Sequence, residues 1–68
     1  MNLSDRLKRL LEARGFSISE TAQAASMTRQ QVWRVVSGAN DNPEIKTIER
    51  IVEAVGGTLA ELFADDAQ

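Results

Sequence analysis

The stretch Ser17–Ser37, SISETAQAASMTRQQVWRVVS, reads as two short helices joined by a tight turn. Ser17 with Glu20 and Thr28 with Gln31 each fit the S/T-x-x-E/Q pattern, in which a hydroxyl and a returning side chain satisfy two orphan backbone donors at a helix start. Between the two starts lie eight residues of helix and the turn Ala25-Ser26-Met27. At about 100° per residue, with Arg29 as zero, Trp33 falls near 40°, Ser37 near 80°, Gln30 near 100° and Arg34 near 140°, whereas Val32 and Val35 fall near 300° and 240°. The second helix is therefore expected to bury its valine pair and to turn Arg, Gln, Trp and Arg outward. Guanidinium forks and side-chain amides match guanine and adenine edges bidentately in a major groove. An exposed tryptophan marks a contact surface.

The flanking sequence follows the same helical period. Leu3, Leu7, Leu10 and Leu11 share one side of a first helix, with Arg6, Arg9 and Glu12 outside, Ser4 able to cap its start and Gly15 to supply a left-handed stop. Ile45, Ile48, Ile51, Val52 and Val55 form an apolar stripe ended by Gly56-Gly57 and are expected in the core. Thr58 with Glu61 repeats the capping pattern ahead of Leu59, Leu62 and Phe63. No segment alternates as a strand does, and the β-branched residues fall at helical spacing. The expected fold is all-α, five short helices around one core, with a single domain over residues 1–63 and a short acidic tail over 64–68.

Sixty-eight residues leave room for one domain with a small core. Apolar residues at 43% and charged ones at 26% give an ordinary globular balance. Cysteine and histidine are both absent, which excludes thiolate chemistry and removes the commonest general base and metal ligand. The acidic residues are spread over helix exteriors, and no glycine-rich phosphate loop precedes a helix. Neither an enzyme nor a cofactor or metal site is expected. No apolar run suits a membrane span or a signal peptide, so a cytoplasmic protein away from membranes is expected. The net charge of −2 is unevenly divided: six basic residues face three acidic ones through Gly38, and two face seven from Ala39 onward. A polyanion partner would therefore meet a local basic face rather than a basic protein.

The stretch Gly15–Phe63 resembles the Cro and lambda-repressor type of helix-turn-helix domain, the XRE family, over 49 of the 68 residues. The resemblance rests on the small Ala22 in the second helix and on apolar Met27, Val32 and Val35. It continues through Ser37-Gly38, Asn42-Pro43 and Thr47-Ile48 to the closing Leu59-x-x-Leu62-Phe63. It implies that helix 28–37 enters the major groove of an operator, with Thr28, Arg29, Gln30 and Arg34 reading bases and Gln31 and Trp33 flanking them. Ser17, Ser37, Asn40, Asn42 and the backbone around Asp41 stand where the family grips phosphate. Such contacts set register and affinity without reading sequence. A homodimer on an inverted repeat is implied, with Leu59, Leu62 and Phe63 at the dimer contact, and a transcriptional regulator of repressor type is the function expected.

Three positions depart from the family pattern. Ile18 stands where many members place a phosphate-binding glutamine, so it is either core or a contact to a thymine methyl group. Ser26 replaces the usual turn glycine, and a left-handed conformation there costs on the order of 1 kcal/mol. The loop 39–42 lacks the lysines common there and carries Asp41, which repels phosphate, so modest affinity per monomer is expected. Thr28-Arg29 followed by Trp33-Arg34 is also similar to antidote proteins of toxin–antitoxin operons, which implies a toxin partner as an alternative. A further alternative is a protein-interaction module using the same face.

Overall fold

The computed structural model describes residues 2–40 and 42–64; Asp41 and the acidic residues of the tail, Asp65 and Asp66, lie outside the described residues. Its elements are α1 (Leu3–Ala13), α2 (Ile18–Ala25), α3 (Arg29–Val36), α4 (Ile45–Ala54) and α5 (Leu59–Leu62). The described residues contain no strand. The all-α, five-helix expectation holds.

All three expected capping boxes form. Glu20 N–H donates to Ser17 Oγ at 3.0 Å while Ser17 N–H donates to Glu20 Oε1 at 2.9 Å, and Thr28 with Gln31 and Thr58 with Glu61 reciprocate in the same way. At α1 the expected cap is corrected. Asn2, rather than Ser4, caps this helix, accepting from Asp5 N–H at 2.9 Å, and the Ser4 hydroxyl donates to the same oxygen at 2.8 Å. Asn2 has the extended backbone that an N-cap requires, whereas Ser4 is already inside the helix. Gly15, at φ 73°, closes α1 with a bond from Phe16 N–H to the Leu11 carbonyl.

The core joins Leu7, Leu10 and Leu11 of α1 to Ala22 of α2, Val32, Val35 and Val36 of α3, and Ile48, Ile51 and Val52 of α4, with Val55 and Leu62. Val36 belongs to this inward set, which widens the buried side of α3 beyond the valine pair. Ile45 is corrected from core to surface: it is 53% exposed at the first residue of α4, three residues ahead of the buried Ile48. Leu62 lies in the core of its own chain at 4% exposure, whereas Phe63 is 51% exposed and Leu59 half-buried. Of the three residues expected at a dimer contact, Leu62 is therefore the one already enclosed.

Three arginines fasten the helices by donating to carbonyl oxygens at the end of another helix. Arg6 of α1 reaches Leu62 at 3.2 Å, Arg14 reaches Gly56 at 2.8 Å, and Arg50 of α4 reaches Ala25 at 3.0 Å. The helices that receive them, α5, α4 and α2, have no basic residue in their own last turns. The imported guanidinium groups satisfy orphan carbonyls and complement the negative end of each helix dipole. Arg14 also pairs with Glu61, tying the end of α1 to α5. Among the described residues no helix is long and apolar enough to cross a membrane.

Candidate nucleic-acid interface

The turn between α2 and α3 fixes how α3 is presented. Ser26 adopts φ 58°, ψ 44°, the left-handed conformation expected where the usual glycine is missing. Met27 N–H bonds back to the Ala22 carbonyl at 2.9 Å. From the other side, Arg50 donates to the carbonyls of both Ala25 and Ser26. Thr28 then starts α3 with its hydroxyl accepting from Gln31 N–H at 3.0 Å.

Val32, Val35 and Val36 anchor α3 from behind, at 0%, 4% and 3% exposure. Arg29, Gln30, Gln31, Trp33 and Arg34 are all exposed. With Arg6, Arg14 and Arg50 engaged on carbonyls, the availability of the others decides which cations a ligand would meet. Among the described residues, no hydrogen bond or ion pair engages the guanidinium of Arg29 or Arg34. Gln31 differs from its neighbours, since its side-chain oxygen accepts from Thr28 N–H at 2.8 Å and is committed to the cap.

Thr28, Arg29, Gln30 and Trp33 share one open depression with Ser17, Ile18 and Ser19 of the start of α2. The structure thus brings one expected phosphate-gripping residue, Ser17, beside three of the four expected base readers. Arg34 lies one helical turn beyond Gln30 and outside this depression. A second, more apolar groove continues past Trp33 along Phe16, Ile18 and Val36 to Ser37 and Lys8. Trp33, 52% exposed, is a wall common to both.

The remaining expected phosphate contacts follow α3 in the chain, and one of them, Ser37, lines the same groove as Ser17 and Lys8. Ser37 Oγ accepts from Ala39 N–H at 3.3 Å, and Asn40 Oδ1 accepts from Asn42 N–H at 3.1 Å, a local turn that leaves the side-chain amide of Asn40 outward. Asn40 N–H bonds the Arg34 carbonyl at 2.9 Å and so fixes the loop to the end of α3.

Sequence reasoning missed Lys8 as a member of this surface. Its position on the outer side of α1 was legible, but nothing in the chain's periodicity shows that this side borders Trp33 and Ser37. Glu20 was read only as a cap partner. Its carboxyl is held below the ordinary glutamate range, first by the backbone N–H of Ser17 and then by the Ser17 hydroxyl. A formal negative charge therefore sits at the start of α2, beside Ser17.

The arrangement is chemically a binding surface: two unengaged guanidinium groups, a side-chain amide and an indole, displayed on a short helix that valines hold rigidly. No curated protein matches the chain. A family model described as a helix-turn-helix domain matches residues 2–63, which is nearly the whole sequence and includes all five helices. By that match, and by the α2–turn–α3 unit with its outward-facing second helix, the chain belongs to the helix-turn-helix domain family.

Proposed function

We propose that the protein is a sequence-specific, double-stranded-DNA-binding transcriptional regulator of repressor type that inserts α3 into the major groove. One observation carries this reading: Arg29, Gln30 and Arg34 are exposed and unengaged on α3, opposite the buried Val32 and Val35. Arg29 and Arg34 suit guanine, whose O6 and N7 accept a guanidinium fork, and Gln30 suits adenine N6 and N7. Thr28 contributes from the helix start, and Gln31 supports it through the cap.

Ser17, Lys8 and Ser37 share one groove beside Trp33, and Asn40 and Asn42 lie in the loop that follows α3. These groups grip the two phosphate strands and set the register of the reading helix. Two copies act together on an inverted repeat, their reading helices about 34–36 Å apart, one helical turn of DNA. The α5 end supports that pairing, because exposed Phe63 and half-buried Leu59 lie there and a second copy would cover them.

The test uses Trp33, the sole tryptophan, as a built-in probe. Its fluorescence is titrated with a duplex selected by the protein from a randomised library and with an unselected duplex, each at two salt concentrations. The selected duplex should bind more tightly. Its affinity should fall by roughly 0.9 log unit per log unit of salt for each phosphate contact. Equal binding of both duplexes, or binding indifferent to salt, would overturn the reading and favour a protein partner for the same face.

A further inference from the structure

The base-reading side of α3 is not wholly polar. Ile18, at the first position of α2, and Trp33, on α3, line the depression that also holds Arg29 and Gln30. Ile18 is half-buried and packed against the core, and Trp33 is 52% exposed, so the pair gives the depression an apolar wall that Ile18 anchors. When a duplex covers this depression, the wall loses water and needs an apolar counterpart. In the major groove, base edges are hydrogen-bonding groups with one large exception, the C5-methyl group of thymine. A glutamine that takes adenine N6 and N7 meets, on the same base pair, a thymine whose methyl projects into the same groove.

We infer that Ile18 and Trp33 form a thymine-methyl site, making them specificity-determining residues beside Arg29 and Gln30. This rests on the DNA-binding reading above and adds to it a base and an atom. At the position where a polar side chain would bind phosphate without reading sequence, Ile18 instead discriminates thymine from cytosine. The methyl enters the space between the Ile18 side chain and the edge of the indole. Loss of a single methyl contact there is worth about a fourfold change in affinity, the value of one buried methylene group.

The experiment replaces thymine by deoxyuridine, one position at a time, in the duplex that the protein selects from a randomised library. Deoxyuridine pairs as thymine does and removes only the methyl. At one or more positions in each half-site the replacement should weaken binding by about fourfold. The same penalty should disappear in the Ile18→Ala and Trp33→Ala proteins, each confirmed as folded by circular dichroism. The measurement on the unaltered protein needs no variant and stands even if Ile18→Ala fails to fold.

Indifference to deoxyuridine at every position would overturn the inference while leaving DNA binding intact. A penalty of undiminished size in both folded variants would overturn it as well, by assigning the methyl to another residue. Failure to select any duplex would instead strike the DNA-binding reading itself, and the methyl site would fall with it.

Discussion

Arg50, on α4, holds the carbonyl oxygen of Ser26 at 3.3 Å across 24 positions of sequence, and the same nitrogen holds the Ala25 carbonyl at 3.0 Å. Ser26 is the one non-glycine residue with positive φ among the described residues. A cation on a neighbouring helix thus supports the conformation that serine adopts least readily, at the turn that sets the direction of α3.

Ser26→Gly should stabilise the domain, by up to about 1 kcal/mol, because glycine adopts the left-handed region without the Cβ clash. Arg50→Ala should destabilise it by about 1 kcal/mol through loss of the two carbonyl contacts. The two effects should not add: in the Ser26→Gly background, Arg50→Ala should cost less, since the turn no longer needs the clamp. Urea unfolding of the four proteins measures the coupling, and strict additivity would show that the clamp and the strained turn are independent.

Arg29→Ala should cost about 1–3 kcal/mol on the selected duplex and relax base choice at one position. Competition binding against single-base variants of that duplex reads both effects. An equal loss on every sequence would place Arg29 on phosphate. Arg34→Ala should behave alike at a second position, one helical turn along α3 from Gln30.

Lys8→Ala should weaken selected and unselected duplexes by the same factor and lower the salt slope by about 0.9. Affinity titrations across a range of salt concentrations measure that slope. An unchanged slope would remove Lys8 from the phosphate contacts.

Val32→Asp should unfold the chain, because Val32 has 0% exposure and the new carboxylate would have no partner inside the core. Loss of the helical circular-dichroism signal is the readout. A folded Val32→Asp protein would mean that α3 presents the opposite side to the core.

Acid should loosen the start of α2. The pKa of Glu20 is lowered in the folded state by the Ser17 backbone and hydroxyl. Its contribution to stability is therefore present above the ordinary glutamate pKa and lost as pH falls through the lowered folded value. Glu20→Gln keeps an acceptor for Ser17 N–H but does not titrate. The difference in unfolding midpoint between the two proteins should accordingly change across that acid window and stay constant above it. A difference that is flat throughout would show that Glu20 does not couple folding to pH.

The helix boundaries were legible in the sequence because three of them carry paired signals, a hydroxyl and a carboxylate or amide three residues on. These interactions are local, and tertiary packing has little power to move them. The start of α1 was misplaced because Asn2 and Ser4 are both competent caps, and only backbone geometry distinguishes them. Ile45 was misplaced for a different reason: period assigns a residue to a side of a helix, not to a depth along its axis. The outward placement of Arg29, Gln30, Trp33 and Arg34 followed from period alone. Which groups border them did not. The nearness of Ser17, Ile18 and Lys8 to Trp33 arises from how α1 and α2 lie against α3, a long-range relation that no single helix encodes.

The capping boxes at the starts of α2 and α3 have an effect on DNA recognition as well as on folding. At each start, two backbone amide donors are already occupied within the chain, one by the side chain of Glu20 or Gln31 and the other by the hydroxyl of Ser17 or Thr28. Beyond the short serine and asparagine groups, the grip on a duplex rests on long side chains, each of which gives up rotational freedom worth about 0.5–1.5 kcal/mol when it is immobilised. Docking is in this sense a partial freezing of the surface of α3, and its entropic toll rises with every guanidinium and amide brought to rest. One chain alone would hold its site briefly and let go readily, a behaviour suited to scanning. Lasting occupancy would come from two chains whose ordered surfaces are engaged at the same time.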